Sequence, residues 1–120
     1  MLDRMQLHRA ILDHLNEPVL ATDATGLVQY MNPEAERMLG WPLWEAVNRP
    51  VEDILNGEGG WTGPSFMSLL HSGECLLQQP CHFATRWGEG LERKLNVSPL
   101  YQGAYRCGTV FVFNKGLNAD

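Results

Sequence analysis

Apolar positions at the start of the chain recur with a helical beat. Met1, Met5, His8, Leu12 and Leu15 follow one another at alternating four- and three-residue steps, and Leu7 and Ile11 widen the stripe. That spacing predicts an amphipathic helix over residues 1–15. The stripe suits either a cap on the domain's own sheet or pairing with the same helix of a second chain. Two heptads are too short for a coiled coil unaided, so pairing would need help from the rest of the domain. Asn16-Glu17-Pro18 breaks the helix. A strand from about Val19 to Thr22, a turn at Asp23-Ala24-Thr25-Gly26 and a second strand through "LVQYMN" then read as a β-hairpin.

The pattern changes at Asn32, which can cap a helix with Pro33 at its first position. Glu34 and Glu36 fall in the first turn, where the helix dipole favours them, and Gly40 stops the helix. Ala35, Met38 and Leu39 should face inward. "PLWEAV" and "PVEDIL" each carry a helix start signal, "NGEGGWTG" (56–63) is a glycine-rich loop, and "PSFMSLLHSGE" is a further helix. After Glu74 strands return: "CLLQQPCHFATRW", "LERKLNVSPLY" and "CGTVFVFN", parted by turns at Trp87–Gly90 and Gln102-Gly103. In the middle one Leu91, Leu95 and Val97 alternate with Glu92, Lys94, Asn96 and Ser98, so one face meets water. Val110, Phe111, Val112 and Phe113 are consecutive, so both faces of the last strand should be covered. The order predicts an α+β domain, a five-stranded antiparallel sheet with short helices on one face and the N-terminal amphipathic helix beside it.

Composition narrows the partners. The 120 residues suffice for one domain, and 44% hydrophobic with 19% charged is ordinary for a folded one. A net charge of -5 with scattered basic residues argues against nucleic acid as a partner. No apolar run approaches the ~20 residues of a membrane span, and no signal peptide is evident, so the chain reads as cytoplasmic. Three cysteines without a Cys-x-x-Cys pair point to reduced, mostly buried thiols.

The stretches "LNEPVLATDATGLVQYMNPEAERMLGW", "NRPVEDIL", "LLHSGE" and "NVSPLYQGAYRCGTVFVFNKG" together resemble a PAS domain over nearly the whole chain. Asp23, Gly26, Asn32, Ala35, Glu36 and Gly40 occupy the places of that family's pattern in order. The resemblance implies the PAS fold over residues 18–116, with 1–17 as a capping or dimerisation helix and 117–120 as the start of a linker or tail. It also implies a sensory or dimerisation module, not an enzyme, ahead of a histidine kinase, diguanylate cyclase, cyclic-di-GMP phosphodiesterase or other output domain. The finer similarity of "RPVEDIL" and "SGE" is to PAS domains of bacterial kinases and cyclic-di-GMP enzymes.

PAS domains bind haem, flavin, small metabolites or nothing. The cysteine of a flavin-thiol photosensor is missing from "EDILNGEGGW", and the chromophore cysteine of the yellow photoreceptors is missing from the same region. His71 stands at the C-terminal end of its helix, out of register for a haem ligand, and reads as a partner for the last helix carbonyls. His71, Cys75, Cys81 and His82 form one metal-like cluster, but Pro80 interrupts it, and core or edge roles are preferred. Ser65, Ser68, Ser72 and Ser98 lie in no nucleophile elbow, and "NGEGG" lacks the lysine of a phosphate loop. No cofactor is required.

Two sets of positions remain as candidates. Tyr30, Trp41, Trp44, Trp61, Leu95, Val97 and Val112 could line a ligand pocket between helices and sheet, with Asn96 and Asn114 as polar fixers and the 57–63 loop as a lid. For Trp41 and Trp44, filling core volume is the preferred reading. Leu7, Ile11, Leu15, Phe111 and Phe113 are the expected homodimer interface. The primary expectation is a dimerising regulatory module; the alternative is a small-molecule, flavin or haem sensor with an occupied pocket.

Overall fold

A computed structural model describes residues 16–55, 61–71, 73 and 75–114. The expected N-terminal helix, residues 56–60 of the glycine-rich loop and the tail from residue 115 lie outside the described residues. Within them the chain forms β1 (Val19–Asp23), β2 (Val28–Met31), α1 (Pro33–Leu39), α2 (Leu43–Ala46), α3 (Val51–Leu55), α4 (Phe66–His71), β3 (Leu76–Ala84), β4 (Gly90–Gln102) and β5 (Tyr105–Asn114). The strands make one antiparallel sheet in the order β2-β1-β5-β4-β3. The five-stranded sheet and short helices expected from the sequence are therefore present.

The hairpin turn is held by Asp23. Its Oδ1 accepts from the Thr25 N–H (2.9 Å), the Thr25 hydroxyl (2.8 Å) and the Leu27 N–H (3.0 Å), and Gly26 turns at φ 92°. α1 forms as its sequence predicts. Asn32 caps it by accepting from the Ala35 N–H at 2.9 Å, Pro33 occupies the first turn, and Gly40 closes it at φ 78°. Asn32 does more than cap. The same Oδ1 accepts from the Val19 N–H (2.9 Å), and its Nδ2 donates to the Glu17 carbonyl (2.9 Å), all with the residue fully buried. Helix start, first strand and incoming chain thus meet on one amide.

The helices lie on one face and their apolar sides bury against the sheet. Met31, Leu20, Phe111, Val97 and Leu76 are successive cross-strand partners, so one row runs across all five strands into this core. Leu39, Ile54, Leu55, Leu69, Phe83, Leu95 and Phe113 pack with it and are essentially unexposed. Each such side chain contributes about 1.5–3 kcal/mol by leaving water. β1 and β5 approach too closely for a side chain at Gly108, where a Cβ would overlap the Thr22 carbonyl oxygen.

Both sheet edges are stopped. Beside β2, the Val28 N–H donates to the Arg49 carbonyl (2.9 Å) and the Asn48 N–H to the Val28 carbonyl (2.8 Å). Beside β3, Thr62 and His82 exchange backbone bonds of 2.9 and 2.8 Å. β3 also carries a bulge between Leu76 and Gln79, with Gln78 at φ 52°. These devices deny the edges to a further strand.

Two outcomes follow. Asn32→Ala removes the cap and strands the buried Val19 N–H, and should cost about 2–4 kcal/mol in urea denaturation. Partial burial tends to raise the Asp23 pKa, but donors from Leu27, Thr25 and Gly26 outweigh it and hold it below the ordinary 3.8. A depressed carboxylate stabilises the fold above its unfolded pKa and loses that effect as pH falls through the folded value. Urea midpoints should therefore fall from about pH 5 towards pH 2, and less steeply in Asp23→Asn.

Candidate functional site

The expected pocket lies between the helices and the sheet, where β4 presents Leu95 and Val97. Both point to the helical side, but they are packed, at 0% and 2% exposure, among Phe83, Phe111 and Phe113. The aromatic side chains stack through this space. Phe83 meets Phe113 edge-on with centroids 5.3 Å apart, and Trp61 lies over Phe66 (4.8 Å) and alongside Phe83 (6.5 Å). The Trp61 indole N–H donates to the Pro64 carbonyl at 2.9 Å, fixing the ring. Trp61 thus closes the core rather than leaving a chamber.

The other candidates are dispersed. Trp41 is half-buried with the Arg86 guanidinium 4.2 Å and the Arg49 guanidinium 5.3 Å from its ring centroid, and Arg86 also pairs with Glu45. Trp44 is 76% exposed, so it neither lines a pocket nor fills the core. Trp87 belongs to the turn after β3 and is 70% exposed. One edge of its ring is close enough to Gly40 that a Cβ there would lie 3.0 Å away.

Strand parity corrects four further positions. Tyr30 pairs with Ala21, which pairs with Val110, one residue out of step with the core row. Val112 likewise alternates with Phe111 and Phe113, so Tyr30 and Val112 lie on the sheet face away from the helices and away from Leu95 and Val97. Phe111 and Phe113, expected at an intermolecular interface, are instead fully buried in the core. The half-buried apolar side chains of the outer face are Ala21, Tyr30, Val110 and Val112, beside the buried Val19 and the polar Lys94, Asn96 and Ser98 of β4. Leu7, Ile11 and Leu15 lie outside the described residues. Asn96 is spent structurally, accepting from the Gln78 N–H at 2.7 Å to close the β3 bulge.

Open concavities lie elsewhere. The roomiest of three, about 690 Å³, sits between α1 and the ends of β4 and β5, lined by Glu17, Arg37, Met38, Trp87, Leu91 and Asn114 among others. The others, about 400 and 380 Å³, lie by Thr62 and His82 and by Trp41 and Arg86. None of the three is lined by Leu95 or Val97.

Cysteine and histidine chemistry is scattered too. Among the described residues no three His, Cys, Asp or Glu side chains gather as a metal site. The bulge at Gln78 breaks the alternation that would have put Cys75 and Cys81 on one face: Cys75 is exposed and Cys81 buried. Cys107 is exposed as well, so the thiols are not mostly buried as the sequence suggested. His71 ends α4 exposed to solvent. The Leu69 carbonyl near that end is taken by Arg106 Nη2 at 3.1 Å, a long-range partner that no local signal marked.

Comparison with family models identifies one family. The model described as PAS fold matches residues 6–114. A probable diguanylate cyclase, DgcE, of Escherichia coli K12 is 29% identical over 101 residues, which are 82% of this chain and 9% of that protein. The chain thus spans under a tenth of that relative's length. The PAS domain of nitrogen regulation protein NR(II) from Vibrio parahaemolyticus superposes with a TM-score of 0.73 at 21% identity, covering 91% of this chain and 97% of that one. A domain of a sensory box sensor histidine kinase/response regulator from Geobacter sulfurreducens gives 0.71 at 21% identity, covering 92% and 93%. No helix among the described residues is long and apolar enough to cross a membrane.

Burial pushes the Cys81 thiol up to about 11, against the opposing pull of Arg93. The thiolate is the reactive form. Iodoacetamide at neutral pH should therefore label Cys75 and Cys107 readily in the folded protein, and Cys81 only after unfolding. Peptide mass mapping reads this directly.

Proposed function

The chain belongs to the PAS fold family, and from that premise we propose that it is a regulatory module that dimerises and passes a signal to an output domain. The observation that carries this reading is the outer sheet face. Ala21, Tyr30, Val110 and Val112 form a half-covered apolar strip there, opposite the helices. A second protomer meeting this strip, aided by the N-terminal segment with Leu7, Ile11 and Leu15, would bury it. Signal then takes the form of a shift between two packing arrangements at that face, which changes how the output domains are held.

The diguanylate cyclase relative favours a cyclic-di-GMP enzyme as the output unit, with a histidine kinase or a phosphodiesterase as the other classes considered. The sensor alternative, with a ligand between helices and sheet, is disfavoured because Phe83, Leu95, Val97 and Phe113 occupy that space.

Sedimentation velocity should give a dimer for the unaltered chain and monomers for Val112→Asp and for Ile11→Asp. A dimer that survives Val112→Asp with unchanged affinity overturns the outer-face assignment. Native mass spectrometry should give the bare chain mass per protomer; retained extra mass would instead restore the occupied-pocket reading.

A further inference from the structure

β4 and β5 run past their neighbours. β1 stops pairing at Asp23 opposite Gly108, and β3 makes its outermost pair at Leu76 opposite Val97. Residues 100–107 are therefore a two-stranded ribbon projecting from the sheet, with Leu100, Tyr101 and Tyr105 exposed on it, Tyr105 at 82%. A two-stranded ribbon twists easily and has little stability of its own.

From within this ribbon, opposite Tyr101 and one pair short of its tip, Arg106 reaches back to the helical layer. Its Nη2 donates to the Thr109 hydroxyl (2.8 Å) on its own strand and to the Leu69 carbonyl (3.1 Å) on α4. Leu69 and Thr109 are each 1% exposed, so the bridge closes over buried partners. A carbonyl in the last turn of a helix has no helical N–H to accept from, and a cation is favoured there. At six residues, α4 depends on such outside contacts to stay formed and docked. The next residue, Leu70, presses on the β1–β2 turn: a Cβ on Gly26 would lie 2.7 Å from its Cδ1.

We propose that Arg106 is a clasp that joins α4 and the 100–107 ribbon into one two-state element, so that a load on the ribbon tip shifts α4. In the docked state the guanidinium holds the Leu69 carbonyl and Leu70 stays seated at Gly26. Twisting the ribbon withdraws Arg106, and α4 loosens from the sheet. The relay uses no ligand pocket and lies at the edge of the helical layer, apart from the outer face assigned to dimerisation.

The test is 15N relaxation dispersion on the unaltered chain, Arg106→Met and Arg106→Lys. The amides of α4 and of residues 100–107 should share one exchange rate in the unaltered chain and part in Arg106→Met. Hydrogen exchange in α4 should then be about tenfold faster, with α1 unchanged. Arg106→Lys, which keeps the charge but on a single donor nitrogen, should fall between. Separate rates or no exchange in the unaltered chain overturn the clasp, as does a shared rate that survives in Arg106→Met. A uniform rise in hydrogen exchange across α4 and α1 also overturns it, since Arg106 would then be ordinary packing. If Arg106→Met does not fold, the unaltered chain and Arg106→Lys decide between these outcomes.

Discussion

The side-chain amide of Asn32 is the constraint on which the rest of the domain depends. A buried carboxamide is costly unless its donors and acceptors are matched, because nothing else in the core can solvate it. Here the oxygen takes the N–H groups of Val19 and Ala35, and the nitrogen gives to the Glu17 carbonyl. Neither β1 nor α1 can shift without exposing one of those groups. The backbone reinforces the arrangement: the Asn32 N–H donates to the Val19 carbonyl at 3.0 Å, and its carbonyl accepts from the Glu36 N–H at 3.1 Å. Because Phe113 also donates its N–H to the Pro18 carbonyl at 3.0 Å, the incoming chain is fixed to both α1 and β5.

That junction sets the geometry through which a regulatory domain must work. The incoming chain at Glu17 and the end of β5 at Asn114 lie beside one cleft, so a displacement on one side reaches the other through a few hydrogen bonds. The core has no comparable freedom. Close-packed side chains such as Phe83, Phe111 and Phe113 resist small adjustments and move between discrete arrangements instead. Motion is therefore easier where elements are short and tied by single groups, as α4 is to Arg106, than through the middle of the sheet.

Two surface features are consistent with a module that works by contact. The edges of the sheet are blocked by Asn48–Pro50 and by Thr62, which discourages strand addition and leaves the faces of the sheet for contact. The tryptophans, of which Trp41, Trp44 and Trp61 were read from the sequence as a possible pocket lining, divide instead by local geometry. Trp61 seals the core, Trp41 is stacked against two arginines, and Trp44 and Trp87 project into solvent.

The sequence by itself determined the elements and their order. The Asp23–Gly26 turn, the Asn32-Pro33 start and Gly40 stop of α1, and the alternation of Leu91, Leu95 and Val97 were legible because each depends on residues only a few positions apart. Which face a residue meets in β5 was not. Val110 to Phe113 are all apolar, so no alternation marks the core side; pairing with Leu20 and Val97 puts Phe111 inward and leaves Val112 outward. The separation of Cys75 from Cys81 likewise depends on the bulge at Gln78, closed by an amide eighteen residues away. Arg106 was passed over for the same reason, since Leu69 lies thirty-seven residues from it along the chain. Short-range chemistry fixes the pieces, while the facing of an all-apolar strand and the partners of a long side chain are decided only when distant segments come together.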